Sequence, residues 1–164
     1  MTTPQPWTSL YRPKSRGDFV GNEQAVEELE KWIRSWRKKP PKKRAAFLYG
    51  PPGIGKTSVA QVLAREYDFI LVEINASDTR NKGSIEETLG KAVKQNITLF
   101  GQKRMILLDE MDGLSGRQDR GGVSAVSKII DQTMSPMILV ANTIEENMKV
   151  RFRAILKKVK SIEF

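Results

Sequence analysis

Gly50-Pro51-Pro52-Gly53-Ile54-Gly55-Lys56-Thr57 follows the apolar run Ala45-Ala46-Phe47-Leu48-Tyr49 and leads into apolar positions at Val59, Ala60, Leu63 and Tyr67. A short unbroken apolar run predicts a strand covered on both faces, and the helical spacing after the loop predicts a helix. The loop between them matches G-x-x-x-x-G-K-[ST] at every fixed position. Its glycines let backbone N–H groups close around phosphate oxygens, and the following helix turns its positive end toward the same anion. In such a loop the lysine, here Lys56, reaches the β- and γ-phosphates, and the hydroxyl, here Thr57, holds Mg²⁺. Gly50, Pro51, Pro52, Gly53, Ile54, Gly55, Lys56 and Thr57 are therefore the nucleotide-binding candidates.

Outward from this loop the pattern repeats. A second apolar run, Phe69–Ile74, is followed by NASDTRNKG and a helix whose start is marked by the capping-box pair Ser84 and Glu87. A third run, MILL at 105–108, enters DEMDGLSGRQDRGG, and Val126, Ile129 and Ile130 then mark a helix that stops near Pro136. A fourth run, MILVA at 137–141, precedes Asn142, and SIEF at 161–164 is predicted as a final short strand. Upstream, Asn22 is a good N-cap for a helix carrying Val26, Leu29, Ile33 and Trp36 on one stripe. That helix gives way to RKKPPKKR at 37–44, an exposed connector. Residues 1–20, rich in Pro, Gly and Arg, are expected to form an ordered strap over a core spanning 21–164. Apolar runs alternating with amphipathic helices require a parallel sheet covered on both faces, with every strand's C-terminal end on one edge. The predicted class is α/β, with five parallel strands.

Acid–base chemistry is confined by composition. The 164 residues contain no cysteine and no histidine, which excludes disulfides, thiol nucleophiles, the usual zinc sites and a Ser-His-Asp triad. Asp109 and Glu110 end the third run on the edge where the Gly50–Thr57 loop lies. Asp109 suits the metal's outer ligation, and Glu110 is the best available base for polarising an attacking water. Asn142 ends the fourth run on the same edge, where its amide could meet the γ-phosphate. The catalytic candidates are thus Glu110, Lys56 and Asn142, and the metal candidates Thr57 and Asp109. Twenty-eight basic residues against 19 acidic ones, a net charge of +9, favour a polyanionic partner. There is no apolar run of membrane-spanning length and no secretory pattern at the start, so export and a membrane partner are not expected.

Together these residues resemble the ATPase core of AAA+ proteins, a three-layer P-loop NTPase fold, and more narrowly that of replication-factor-C clamp loaders. Four segments carry the narrower resemblance: Tyr11-Arg12-Pro13 with Phe19-Val20-Gly21, GPPGIGKT, Ile74-Asn75-Ala76-Ser77-Asp78, and Leu107-Leu108-Asp109-Glu110. TRNK after NASD, LFG at 99–101, DEMDG at 109–113 and DRGGVSA at 119–125 are similar to stretches of the large subunit, chiefly the archaeal kind.

The resemblance implies ATP and Mg²⁺ as ligands, and loading of a PCNA-type sliding clamp onto primed double-stranded DNA alongside small subunits. It places Tyr11, Arg12, Val20 and Gly21 near the adenine, although for Tyr11 a role in covering the core is the alternative. It places Arg117, Arg120 and Lys128 along the duplex backbone, against a merely solvated basic loop. Ile97 and Phe100 resemble part of a clamp-binding peptide but lack its second aromatic, so a core-covering turn is the alternative. Small subunits carry an arginine finger in a Ser-Arg-Cys motif where this chain has Lys157-Lys158-Val159. The chain is accordingly expected to receive a finger and supply none, Arg151 or Arg153 being the alternatives, and to hydrolyse ATP slowly alone. The family's helical lid and collar are absent from the sequence, as expected of a fragment, and the implied location is cytoplasmic at the nucleoid, or nuclear in a eukaryote. Rival readings are another AAA+ remodelling ATPase, or a binding module that nucleotide switches without hydrolysis.

Overall fold

The computed structural model describes residues 13–37, 39–79, 82–94, 101–115, 121–142 and 146–164. Helix α1 (Glu23–Ser35) is followed by β1 (Ala45–Tyr49), α2 (Lys56–Glu66), β2 (Ile70–Asn75), α3 (Lys82–Lys94), β3 (Arg104–Asp109), α4 (Gly122–Gln132) and β4 (Met137–Ala141). Short helices α5 (Glu146–Arg151) and α6 (Arg153–Leu156) then lead to β5 (Val159–Glu163). The strands form one five-stranded sheet in the order β2-β3-β4-β1-β5, every pair parallel.

Each strand sends alternate residues to opposite faces, and the two faces fill two separate cores. Phe47, Ile106, Leu108 and Leu139 meet α3, α4 and the α5–α6 segment through Leu89, Ile130 and Phe152. Leu48, Leu107, Ile138 and Ile162 meet α1 and α2 through Leu29, Ile33 and Leu63. The predicted stripe of Val26, Leu29, Ile33 and Trp36 is buried throughout, which is what seats α1 on the sheet. Helix α4 is fixed at its C-terminal end as well, because the Arg44 guanidinium donates to the carbonyls of Asp131 and Thr133, each at 3.1 Å.

Several local expectations are corrected. Asn22 occupies the N-cap of α1, but in a left-handed conformation (φ 55°) with no side-chain hydrogen bond to the helix. Ser84 lies inside α3, which begins at Lys82, and its supposed box partner Glu87 pairs with Lys91 one turn on. The final strand starts at Val159 rather than Ser161. Strand β2 sits at the sheet edge and is only half-buried, so it is not covered on both faces. Among the described residues no helix is long and apolar enough to cross a membrane.

Candidate functional site

The C-terminal ends of the strands place the candidate residues together. Tyr49 at the end of β1 pairs with Ala141 at the end of β4, so Gly50 and Asn142 leave the sheet side by side. The loop then climbs to Gly55, the N-cap of α2, and Lys56 opens that helix pointing back beneath the loop. Its ammonium is buried and donates to the carbonyls of Gly50 at 2.9 Å and Pro51 at 2.8 Å, with Asn142 Oδ1 at 3.5 Å. Burial pushes the Lys56 pKa down, and the carboxylates of Asp112 and Asp109 act against that fall. Gly50 is required by space as well as by backbone. A Cβ there would stand 2.3 Å from the carbonyl oxygen of Phe164 and 2.9 Å from Ile54 Cδ1.

The second pair is Thr57 and Asp109. Thr57 Oγ1, in the first turn of α2, donates to Asp109 Oδ2, at the end of β3, at 2.8 Å. The other carboxylate oxygen of Asp109 accepts the backbone N–H of Glu110 at 2.7 Å. Glu110 itself has φ 54°, an uncommon left-handed backbone for a residue with a side chain. Its carboxylate lies 3.0 Å from the Ser77 hydroxyl, which is also 2.8 Å from Asn75 Oδ1, so one hydroxyl proton serves two acceptors in turn. Asp112 accepts the backbone N–H of Asn142 on both oxygens, at 3.0 and 3.2 Å, and so fixes the end of β4.

Lys56, Thr57, Asp109, Glu110 and Asn142 thus converge on one edge, as their strand positions predict. Ser77, Asn75 and Asp112 were not among the predicted site residues. Their signal was present in NASD and DEMD, but only the pairing of Asn75 with Asp109 across β2 and β3 turns it into proximity. Gly113 makes that proximity possible: a Cβ there would lie 3.1 Å from Ser77 Cα, so the Met111–Ser115 turn packs directly on the Ala76–Thr79 turn. Elsewhere, Val20 is 99% exposed and Gly21 has nothing within 4 Å of a Cβ position. Lys128 stands exposed on α4. Tyr11, Arg12, Ile97, Phe100, Arg117 and Arg120 lie outside the described residues.

The donor set fits a magnesium nucleotide. Thr57 and Asp109 offer only oxygens, suited to a hard cation that keeps several waters and takes its remaining ligands from phosphates.

The sequence profile of the ATPase family associated with various cellular activities (AAA) matches residues 46–160. The chain belongs to the AAA family. This AAA domain is 51% identical over 138 residues to the replication factor C large subunit of Methanosarcina mazei, covering 84% of the chain and 22% of that protein. It is 42% identical over 161 residues to the replication factor C large subunit of Sulfolobus acidocaldarius, covering 98% of the chain and 36% of that protein. The corresponding subunit of Thermofilum pendens is 44% identical over 137 residues, 84% of the chain and 33% of that protein. The chain therefore spans about a fifth to a third of the length of these relatives. Membership in an ATPase family and the geometry of this edge agree on nucleotide chemistry.

Proposed function

We propose that this AAA domain is the ATP-binding and ATP-hydrolysing module of a clamp-loader large subunit. The observation that carries the reading is the Thr57–Asp109 bond at 2.8 Å beside the buried Lys56 ammonium, within a chain so similar to archaeal replication factor C large subunits. Loop N–H groups and Lys56 grip the triphosphate, so Lys56 must exchange its two carbonyl acceptors for phosphate oxygens. Thr57 and Asp109 would hold Mg²⁺, which would draw charge from the phosphates. Glu110 orients and deprotonates the attacking water, and Asn142, held by Asp112, positions the γ-phosphate. The Ser77 hydroxyl, 3.0 Å from Glu110 Oε2, orients the carboxylate through one oxygen, and the other oxygen suffices to accept a proton from water.

The arginine that completes the site comes from a neighbouring subunit, and this chain supplies none in return. Supporting the second point, Lys158, at the position where small subunits carry theirs, is tied to Asp131 at 2.5 Å and to the Ser127 carbonyl at 3.1 Å within this chain. A trans arginine is typically worth about 10³–10⁵ in rate, so the chain alone turns ATP over slowly. The proposed partners are clamp-loader small subunits, a PCNA-type sliding clamp and primed duplex DNA. Arg117, Arg120 and Lys128 are assigned to the duplex backbone, and Ile97 and Phe100 to the clamp. Tyr11, Arg12, Val20 and Gly21 are assigned to the adenine side.

The test is native mass spectrometry and ATPase assay of the chain mixed with archaeal small subunits. The reading expects an ATP-dependent hetero-oligomer whose turnover exceeds the sum of its parts by at least ~10². No complex, or a complex in which Lys56→Ala in this chain changes neither assembly nor turnover, contradicts it.

A further inference from the structure

Away from the phosphate edge, one carboxylate is buried and fully engaged. Glu30 on α1 is only 6% exposed, yet three partners from three segments meet it. The Tyr67 hydroxyl, just past α2, donates to Glu30 Oε1 at 2.5 Å, Arg34 donates to the same oxygen at 2.7 Å, and the Arg16 guanidinium pairs with Oε2. Burial alone would raise the Glu30 pKa; the Tyr67 hydrogen bond and the charges of Arg16 and Arg34 together hold it below the usual carboxylate value. A buried charge is tolerated only with this kind of compensation, so the Arg16 side chain is held in place. Its backbone is held too, because the Arg16 N–H donates to Glu66 Oε1 at 2.9 Å.

Arg16 opens the Arg16–Asp18 turn, which Asp18 closes by accepting the N–H groups of Lys14 and Ser15 at 2.7 and 2.9 Å. Directly after that turn, Phe19 packs into the α1–α2 core with its ring 3.6 Å from the Cβ position of Gly55, the residue before Lys56. A continuous chain of contacts therefore runs from Glu30 through Arg16 to Phe19 and the crown of the Gly50–Thr57 loop.

We propose that Glu30 and Arg16 are positioning residues for nucleotide binding: they clamp residues 14–19 across α1 and α2 so that the Phe19 ring braces Gly55 in the shape that receives phosphate. The inference rests on the nucleotide reading above and deepens it. With the brace released, the loop must be ordered at the moment of binding, which weakens affinity and leaves the chemical step alone.

The experiment is titration of the full chain with a fluorescent ADP analogue in Mg²⁺, alongside steady-state ATPase assays. Arg16→Ala is expected to raise Kd about tenfold with kcat at saturating ATP within twofold, and Arg16→Lys to recover most of the loss. Phe19→Ala should raise Kd similarly, and the double variant should be no weaker than either single one, because one brace is being removed twice. If Arg16→Ala does not fold, hydrogen exchange on the wild type decides instead: nucleotide should slow exchange at the Phe19 amide, and unchanged exchange overturns the inference. Wild-type binding with unchanged Kd in both single variants, or losses that add in the double variant, overturns this inference alone. Absence of nucleotide binding by the wild type overturns the nucleotide reading and this inference with it.

Discussion

Replacing Gly50 with alanine puts one methyl group into a space that does not exist. The new Cβ would stand 2.3 Å from the Phe164 carbonyl oxygen and 2.9 Å from Ile54 Cδ1, and the oxygen belongs to backbone just beyond the end of β5. That end is itself held, since the Phe164 N–H donates to the Tyr49 carbonyl at 2.8 Å. Restoring a normal contact demands a shift of roughly 1 Å in one of the two segments, an overpacking strain of about 1–3 kcal/mol. The backbone at φ +148° adds about 1–3 kcal/mol for any residue with a side chain. In a domain of this size each kcal/mol is worth about 2–4 °C, so Tm should fall by roughly 5–20 °C. Gly53→Ala is the control, because at φ +79° it carries backbone strain but meets nothing within 4 Å. Calorimetric melting of both variants, with and without magnesium nucleotide, is the assay. A Gly50→Ala protein that melts within about 2 °C of the wild type, or no lower than Gly53→Ala, refutes the packing of the loop against the end of β5.

Glu110→Gln should keep nucleotide affinity within threefold while turnover falls by about 10²–10⁴, read by fluorescence titration and phosphate release. Arg44→Ala removes two hydrogen bonds to the carbonyls at the end of α4 and should cost about 1–2 kcal/mol in urea unfolding, without altering nucleotide affinity. Against the effect of burial, the Tyr67 hydroxyl and two arginine partners hold the folded pKa of Glu30 below the usual carboxylate value, so its contribution is present above that usual value and is lost as pH falls through the folded one. The stability gap between the wild type and Glu30→Gln should accordingly be widest near neutrality and close in acid. A gap that stays constant down to pH 3, measured by urea unfolding, counts against the ionised network.

The parts of the fold that were legible in the sequence are those where burial on both faces removes alternation. Residues 45–49, 105–108 and 137–141 are the three central strands of the sheet, and their unbroken apolar runs announce them. The edges were harder. In β5 the exposed Glu163 and half-buried Lys160 alternate with buried Val159 and Ile162 imperfectly, and the lysines ahead of it disguise its start. The start of α3 was misplaced because a capping box is a local pattern, whereas the helix begins two residues earlier, at Lys82. For the site, the motif positions Lys56, Thr57, Asp109 and Glu110 could be named in advance because parallel topology brings strand tips to one edge. Ser77 and Asp112 could not, since their roles arise from cross-strand register and from the turn that Gly113 permits.

The most direct measurement is equilibrium titration of the folded chain with an adenine nucleotide, with Mg²⁺ and again with a chelator, on the wild type and on Thr57→Val. The proposed site predicts saturable binding that Mg²⁺ strengthens at least tenfold in the wild type, and loss of that enhancement, with metal-free binding retained, in the variant. Failure of the wild type to bind, or an undiminished Mg²⁺ effect in Thr57→Val, would contradict it.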